Sequence, residues 1–238
     1  MLIYGKHAVV AALANKNRKN KTLYFTEQTQ HKLQRDIPIP QDIQIIITTN
    51  KHLNDLTQST NHQGIALKTS CVFQEELSNL YHIMQKEVAH IFILDHLEDP
   101  QNVGNIIRSA GAFDVDAVII TKHRSVQETP ALIKACSGTS EFVPIFVVPN
   151  IANIIKDLKQ HGFWILGLDG TAKQNINIFD MPNKTASIVG SEQSGIQPIN
   201  KKHCDWLIKI PISVKVESLN AATAAGIIMN KFKSTHSN

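Results

Sequence analysis

The chain has 238 residues, of which 42% are hydrophobic and 18% charged. That apolar content excludes a disordered tail and supplies a core for one large domain or two small ones. Lys and Arg number 24 against 20 Asp and Glu, a net charge of +4 that permits nucleic-acid binding without requiring it. Three cysteines, Cys71, Cys136 and Cys204, are too few and too scattered for a disulfide scaffold. No stretch approaches the ~20 apolar residues of a membrane span, and the apolar run from Ala8 to Ala14 is too short for a secretory signal. These features read as a soluble cytoplasmic protein with no membrane partner.

In chain order, a helical pattern over 6–15 leads into a polar loop carrying Lys16, Arg18, Lys19 and Lys21. This cluster is open to two readings: a phosphate-contacting loop, or a solvated one. Strand patterns follow near 22–26, 43–48 and 64–68, with a helical pattern near 28–35. The stretch 70–89 has no strand pattern, carries Gln74, Glu75, Glu76, Lys86 and Glu87, and reads as a link. A second series of strands is predicted near 90–95, 116–121, 143–148, 162–168, 185–190 and 206–210. Helical patterns near 102–113, 128–136, 150–161 and 217–233 separate most of them. Such alternation predicts an α/β domain with a mostly parallel sheet. The expected division is a small α/β N-terminal domain over 1–72, a linker over 73–88 and a larger domain over 89–238.

Three segments carry chemistry. The first runs from Asp95 to Ala110, directly after a strand. Pro100 disfavours helix at Asp99, Asn102 is a suitable N-cap, and Arg108 neighbours Asn105 on one helix side. A strand-to-helix turn in an α/β domain is a common place for an active site, although a capped helix with a solvated Arg looks the same locally. The second is Gly190-Ser191-Glu192-Gln193-Ser194-Gly195. It matches neither a P-loop nor a dinucleotide fingerprint, and alone it reads as a turn. The third is Ile210-Pro211 followed by Ser218-Leu219-Asn220 and a helix lined with Ala and Gly, for which Ser218 is a candidate cap.

Together and in this order, Asn102-x-Gly104-x-x-x-Arg108, Gly190-x-Glu192-x-x-Gly195 and Ile210-Pro211…Ser218-Leu219-Asn220 resemble the SpoU family. These are the TrmH- and RlmB-like 2′-O-methyltransferases of RNA within the SPOUT superfamily. The opening Ile3-Tyr4-Gly5-Lys6-His7-Ala8-Val9 and the segment His62-Gln63-Gly64-Ile65-Ala66 resemble the substrate-binding domain of the RlmB-like branch, which is similar to certain ribosomal proteins. The resemblance implies a deep trefoil knot in the C-terminal domain, S-adenosylmethionine (SAM) as methyl donor and a homodimer packed through the knot. By motif position it implies that Asn102, Arg108, Glu192, Ser218 and Asn220 are catalytic. Gly190, Ile210 and Leu219 fall where the family contacts SAM. Lys16, Arg18, Lys19 and Lys21, with Arg108, are then the expected RNA contacts. The implied substrate is a structured RNA, most simply a guanosine in large-subunit ribosomal RNA; transfer RNA is the alternative. The implied division of labour has residues 1–85 removable without loss of SAM binding.

The chain departs from the family pattern at Val214, where Gly is frequent, and at Ala222, where a hydroxyl is frequent. A noncatalytic RNA-binding protein on the same scaffold is therefore a competing reading. A serine hydrolase is a weaker one, since no Gly-x-Ser-x-Gly elbow occurs. His90, His96, His203 and Cys204 lack recognised ligand spacing, so no metal is expected.

Overall fold

The computed structural model describes residues 1–30, 39, 43–71, 73, 76–123 and 125–236. The N-terminal unit comprises β1 (Leu2–Tyr4), α1 (Lys6–Ala14), β2 (Thr22–Thr26), β3 (Gln44–Thr48), α2 (Asn50–Thr57) and β4 (Ile65–Lys68). Its four strands form a mixed sheet in the order β1-β4-β2-β3, with β2 and β3 parallel and the other pairs antiparallel. The helix predicted over 28–35 falls largely outside the described residues.

The second unit runs β5 (Ala89–Asp95), α4 (Pro100–Ala112), β6 (Ala117–Thr121), α5 (Pro130–Cys136), β7 (Ile145–Val148), α6 (Ile151–Gln160) and β8 (Trp164–Leu168), preceded by α3 (Leu77–Met84). It continues through β9 (Gln174–Asn175), β10 (Lys184–Gly190), α7 (Pro198–Lys201), β11 (Trp206–Lys209) and α8 (Ala221–His236). Seven parallel strands are ordered β7-β6-β5-β10-β8-β11-β9. Every residue of β5 is buried, as expected of a parallel strand covered on both faces. Phe92 and Leu94 face a cluster with Ile106, Leu132 and Ile228, whereas Ile91 and Ile93 face one with Leu80, Met84 and Ile155. The stretch read as a link thus contributes α3, whose Leu80 and Met84 enter the core.

This topology fixes where a ligand can sit. From β5 the chain moves through α4 to β6 on one side, while β8 and β11 lie on the other side of β10. Asp95 and Gly190 are paired at the carboxyl ends of the two central strands. A crevice at such a reversal is where open α/β sheets bind ligands.

Two helix starts differ from expectation. Asp99, not Asn102, caps α4: its carboxylate accepts from the N–H groups of Gln101 (3.1 Å) and Asn102 (3.2 Å). Pro100 fits the first helical position because it has no N–H to satisfy, so the helix begins before Asn102 and leaves that side-chain amide available. Likewise Asn220, not Ser218, caps α8, its Oδ1 accepting from Ala222 N (2.9 Å) and Thr223 N (3.2 Å).

The two units share part of one buried core. Ile3, Val9 and Leu13 belong to the same buried cluster as Leu132 and Ile133. Gly138, at φ +95°, sits where any Cβ would crowd Ala11. Removing residues 1–85 would expose this shared core, which bears directly on the expected excision. Among the described residues no helix is long and apolar enough to cross a membrane.

Candidate active site

Three elements meet above the carboxyl ends of β5 and β10. The first turn of α4 supplies Asn102, the loop after β10 supplies Glu192, and the start of α8 supplies Asn220. Glu192 Oε1 accepts from Asn220 Nδ2 (2.9 Å), Asn102 Nδ2 (3.2 Å) and Ala221 N (3.4 Å). Asn220 Nδ2 also donates to Asn102 Oδ1 (2.7 Å). Because the oxygen of Asn220 is committed to the helix N–H groups, its NH2 must face Glu192 and Asn102. Helix capping therefore sets the polarity of the cluster.

The loop carrying Glu192 is held from below. Gly195 N donates to Ser191 O (2.8 Å), and Ser191 Oγ lies 2.7 Å from Ser194 Oγ. Asp95, fully buried, accepts from Gln197 N (2.7 Å). Gly190 packs so closely that a Cβ there would overlap the backbone of Gly195 and Ile196. Gly195 itself needs φ +63°.

On one side of the cluster lies a cleft of about 640 Å³. Gly190, Ile210 and Leu219 line it, together with Gly170, Ile208 and Ala224. Ser218 is exposed on the wall and makes no hydrogen bond to the cluster. Asp169 pairs with Lys201 across part of the same cleft. Burial opposes ionisation of Asp169, but hydrogen bonds from Lys201 and Thr171 and the lysine charge outweigh it and hold the carboxyl below its ordinary value. On the other side is a groove of about 370 Å³ between α4 and α8, lined by Asn105, Arg108, Ser109, Asn220 and Thr223. Arg108 is exposed there and makes no hydrogen bond or ion pair with the described residues. Among the described residues no group of three His, Cys, Asp or Glu side chains could hold a metal ion.

The basic loop divides. Lys16 and Lys19 are exposed. Lys21 donates to the carbonyls of Leu13 (2.8 Å) and Asn15 (2.7 Å) at the end of α1. Arg18 is a correction: it is 2% exposed and bound to two glutamates, so it cannot reach RNA phosphate. Neither Glu128 nor Glu141, its partners, carries a recognisable sequence signal. Asp95 and Asp99 carry none as supports of the site either, although both flank the turn between β5 and α4.

A parallel α/β domain with a glycine-lined cleft at its strand ends, beside a carboxylate–amide cluster and an exposed Arg108, offers a site shaped for a small ligand with a second opening next to it. Comparison with known proteins agrees. Residues 89–230 match the SpoU rRNA Methylase family, and residues 2–71 match the RNA 2′-O ribose methyltransferase substrate-binding domain. A Bacillus subtilis protein assigned to the TrmH family of tRNA/rRNA methyltransferases, YacO, is 34% identical over 232 residues, covering 95% of this chain and 92% of its own. The 23S rRNA (guanosine-2′-O-)-methyltransferase RlmB of Neisseria meningitidis serogroup B is 30% identical over 237 residues, covering 96% and 93%. The SpoU methyltransferase AviRb from Streptomyces viridochromogenes, solved in complex with AdoMet, shares the fold at a TM-score of 0.82 and 21% identity, covering 98% and 89%. The chain belongs to the SpoU family and is a SAM-dependent RNA 2′-O-methyltransferase.

Proposed function

We propose that the enzyme methylates the ribose 2′-hydroxyl of a guanosine in large-subunit ribosomal RNA. The carrying observation is the position of the Asn102–Glu192–Asn220 cluster between two openings: a glycine-lined cleft and a groove holding an exposed Arg108 that has no partner among the described residues. The cleft fits SAM. It offers backbone at Gly170, Gly190 and Gly195 and aliphatic walls at Ile208, Ile210 and Leu219, suited to a cofactor with both polar and apolar parts. Gly190, Ile210 and Leu219 would hold it. When bound, SAM supplies a methyl group already activated on a sulfonium.

The chain's own residues then have to align a weak nucleophile and ease loss of its proton. Alignment is worth up to ~7–11 kcal/mol, and proton transfer a further ~10²–10⁴ in rate. Arg108 anchors a phosphate beside the acceptor ribose or stabilises the developing alkoxide. Both roles use its charge and the planar fork of donors, and neither asks it to take up a proton. Asn102, Glu192 and Asn220 hold the start of α4, the β10 loop and the start of α8 in one register. Ser218 completes the rim. Lys16 and Lys19 contact RNA phosphates, and the substrate-binding domain over 1–72, joined through 73–88 to the catalytic unit over 89–238, holds the RNA by shape.

The family's trefoil knot and homodimer belong to this reading. In support, β10 is inserted between β5 and β8, and the loop after β11 returns to the mouth of β10. Val214 is fully exposed on that loop, with Ile212 and Val216 beside it, as suits a surface covered by a second copy.

The test is transfer of labelled methyl from SAM to total RNA lacking 2′-O-methylation, by wild type, Arg108→Ala and Arg108→Lys, with the product mapped. Label at one ribosomal ribose, lost in Arg108→Ala, supports the reading. Label in transfer RNA overturns the substrate. Near wild-type turnover by Arg108→Lys argues against a geometric role for the planar fork. No label and no SAM binding would favour a noncatalytic protein.

A further inference from the structure

The Arg18 guanidinium lies at the seam between the two units. Its Nε and Nη2 grip Glu141 in a fork (2.8 and 2.7 Å), Nη2 also reaches Glu128 Oε1 (2.9 Å), and Nη1 donates to Ser70 O (2.7 Å). Asn15 Nδ2 adds a bond to Glu141 Oε2 (2.8 Å), and Phe73 N donates to Glu128 Oε2 (2.8 Å). The side chains are sealed, Arg18 at 0% and both glutamates at 4% exposure. Burial alone would disfavour the charge; hydrogen bonds and charge from Glu141 and Glu128 outweigh it and keep Arg18 protonated. A lysine could not serve four acceptors in one plane.

What the glutamates are attached to gives the cluster its meaning. Glu141 ends the short turn Thr139–Glu141, whose Thr139 packs against Gly111 of α4. Glu128 immediately precedes Thr129, the N-cap of α5, and α5 packs through Ala135 against Gly104 of α4. Helix α4 carries Asn102 and Arg108. The ion cluster thus ties the loop after α1, with Ser70 and Phe73 beyond β4, to the two elements that touch the active-site helix.

We propose that Arg18 is a positioning residue: through Glu128 and Glu141 it locks the RNA-holding unit against α4, so that the bound RNA presents its acceptor ribose at one fixed distance from the cleft. This rests on the RNA methyltransferase reading above and adds a determinant of which ribose is reached. It also reverses the sequence expectation, in which Arg18 contacts phosphate directly.

The experiment uses the full chain carrying Arg18→Met with Glu128→Gln and Glu141→Gln, which removes the three charges of the cluster together. Four quantities are compared with wild type: SAM affinity, RNA affinity with its salt dependence, the single-turnover methyl-transfer rate, and hydrogen exchange over 69–73 and 125–129. Positioning predicts SAM and RNA affinities within about threefold of wild type, faster exchange at the seam and a transfer rate lower by at least ~10-fold. Methyl should also spread to neighbouring riboses. A direct phosphate contact predicts instead that the salt slope falls by ~0.7–0.9, and that result overturns the proposal. So does a transfer rate within threefold of wild type, or a SAM affinity that falls as far as the rate, which marks a merely structural role. Should the triple variant fail to fold, Arg18→Lys keeps the charge, loses the fork and must show the same pattern in milder form. If wild type itself transfers no methyl to RNA, the functional reading fails, while exchange at the seam still tests the lock.

Discussion

Replacing Asn220 by Asp keeps one duty of this side chain and inverts the other. An Asp at 220 still offers oxygen to Ala222 N and Thr223 N, and its charge suits a helix N-terminus. It cannot donate to Glu192 Oε1 or Asn102 Oδ1, which lie 2.9 and 2.7 Å from the Asn220 amide. Two carboxylates at that separation repel by up to ~6 kcal/mol at an effective dielectric of ~20, reduced by solvent because residue 220 is exposed. The loop carrying Glu192 is then pushed from the starts of α4 and α8, and a displacement near ~1 Å costs ~10² in rate. Asn220→Ala differs: it loses the cap as well, worth ~1 kcal/mol, or ~2–4 °C in melting midpoint for a chain of this size. The assay is labelled methyl transfer beside thermal melts. The Asp variant should fall ~100-fold in kcat/KM near pH ~7.5 and regain part of the loss on mild acidification, when one proton shared with Glu192 restores a donor. Wild-type kcat/KM for Asn220→Asp at that pH would refute the claim that the Asn220 amide organises the site.

Further outcomes follow from the same structure. Gly190→Ala should weaken SAM binding by at least ~10-fold and destabilise by ~1–3 kcal/mol, since its Cβ meets backbone of Gly195 and Ile196 that no rotamer can clear; calorimetric titration and melts check both. His90 is buried, stacked 4.4 Å from Phe232 and bonded to Ser187 Oγ at 2.9 Å, and burial, with the His236 charge second, lowers its pKa from 6.5 to about 3. The unfolded chain therefore binds a proton that the folded chain refuses. Stability is full well above pH ~6.5 and falls by roughly 1–3 kcal/mol as the pH drops to ~4.5, a slope that denaturant titrations should find flattened in His90→Phe. Lys16→Ala with Lys19→Ala should weaken RNA binding and cut the salt slope by ~0.7–0.9 for each phosphate these lysines neutralise, read by filter binding across salt concentrations. An unchanged slope would remove them from the RNA interface.

Much of the architecture is legible because burial leaves a linear trace. The mainly apolar, buried runs of β5, β6 and β10 are what a doubly covered parallel strand requires, and they stand near 90–95, 116–121 and 185–190 in the sequence. Short or half-exposed elements leave weaker traces: β1 has three residues, β9 two, and α3 lies within a stretch that reads as a link. Helix starts shift from the expected residue where two capping side chains compete, Asp99 with Asn102 and Asn220 with Ser218. Position relative to Pro100 and to the first helical turn decides both.

Family membership is written in the linear order of the chain, because Asn102, Arg108, Glu192 and Asn220 stand in ordered motifs whose types and spacings are local. The small residues that make close approach possible, Gly104 and Gly190, are written there too. What those residues touch is a property of the folded molecule alone. Glu192 and Asn102 are 90 positions apart, yet they share a hydrogen bond. Arg18 stands among three lysines in the sequence, and nothing local separates it from them. Its partners Glu128 and Glu141 lie 110 and 123 positions away. Whether a charge meets water or a buried counter-ion depends on which surfaces packing brings together, and that is set by the whole fold rather than by neighbours along the chain.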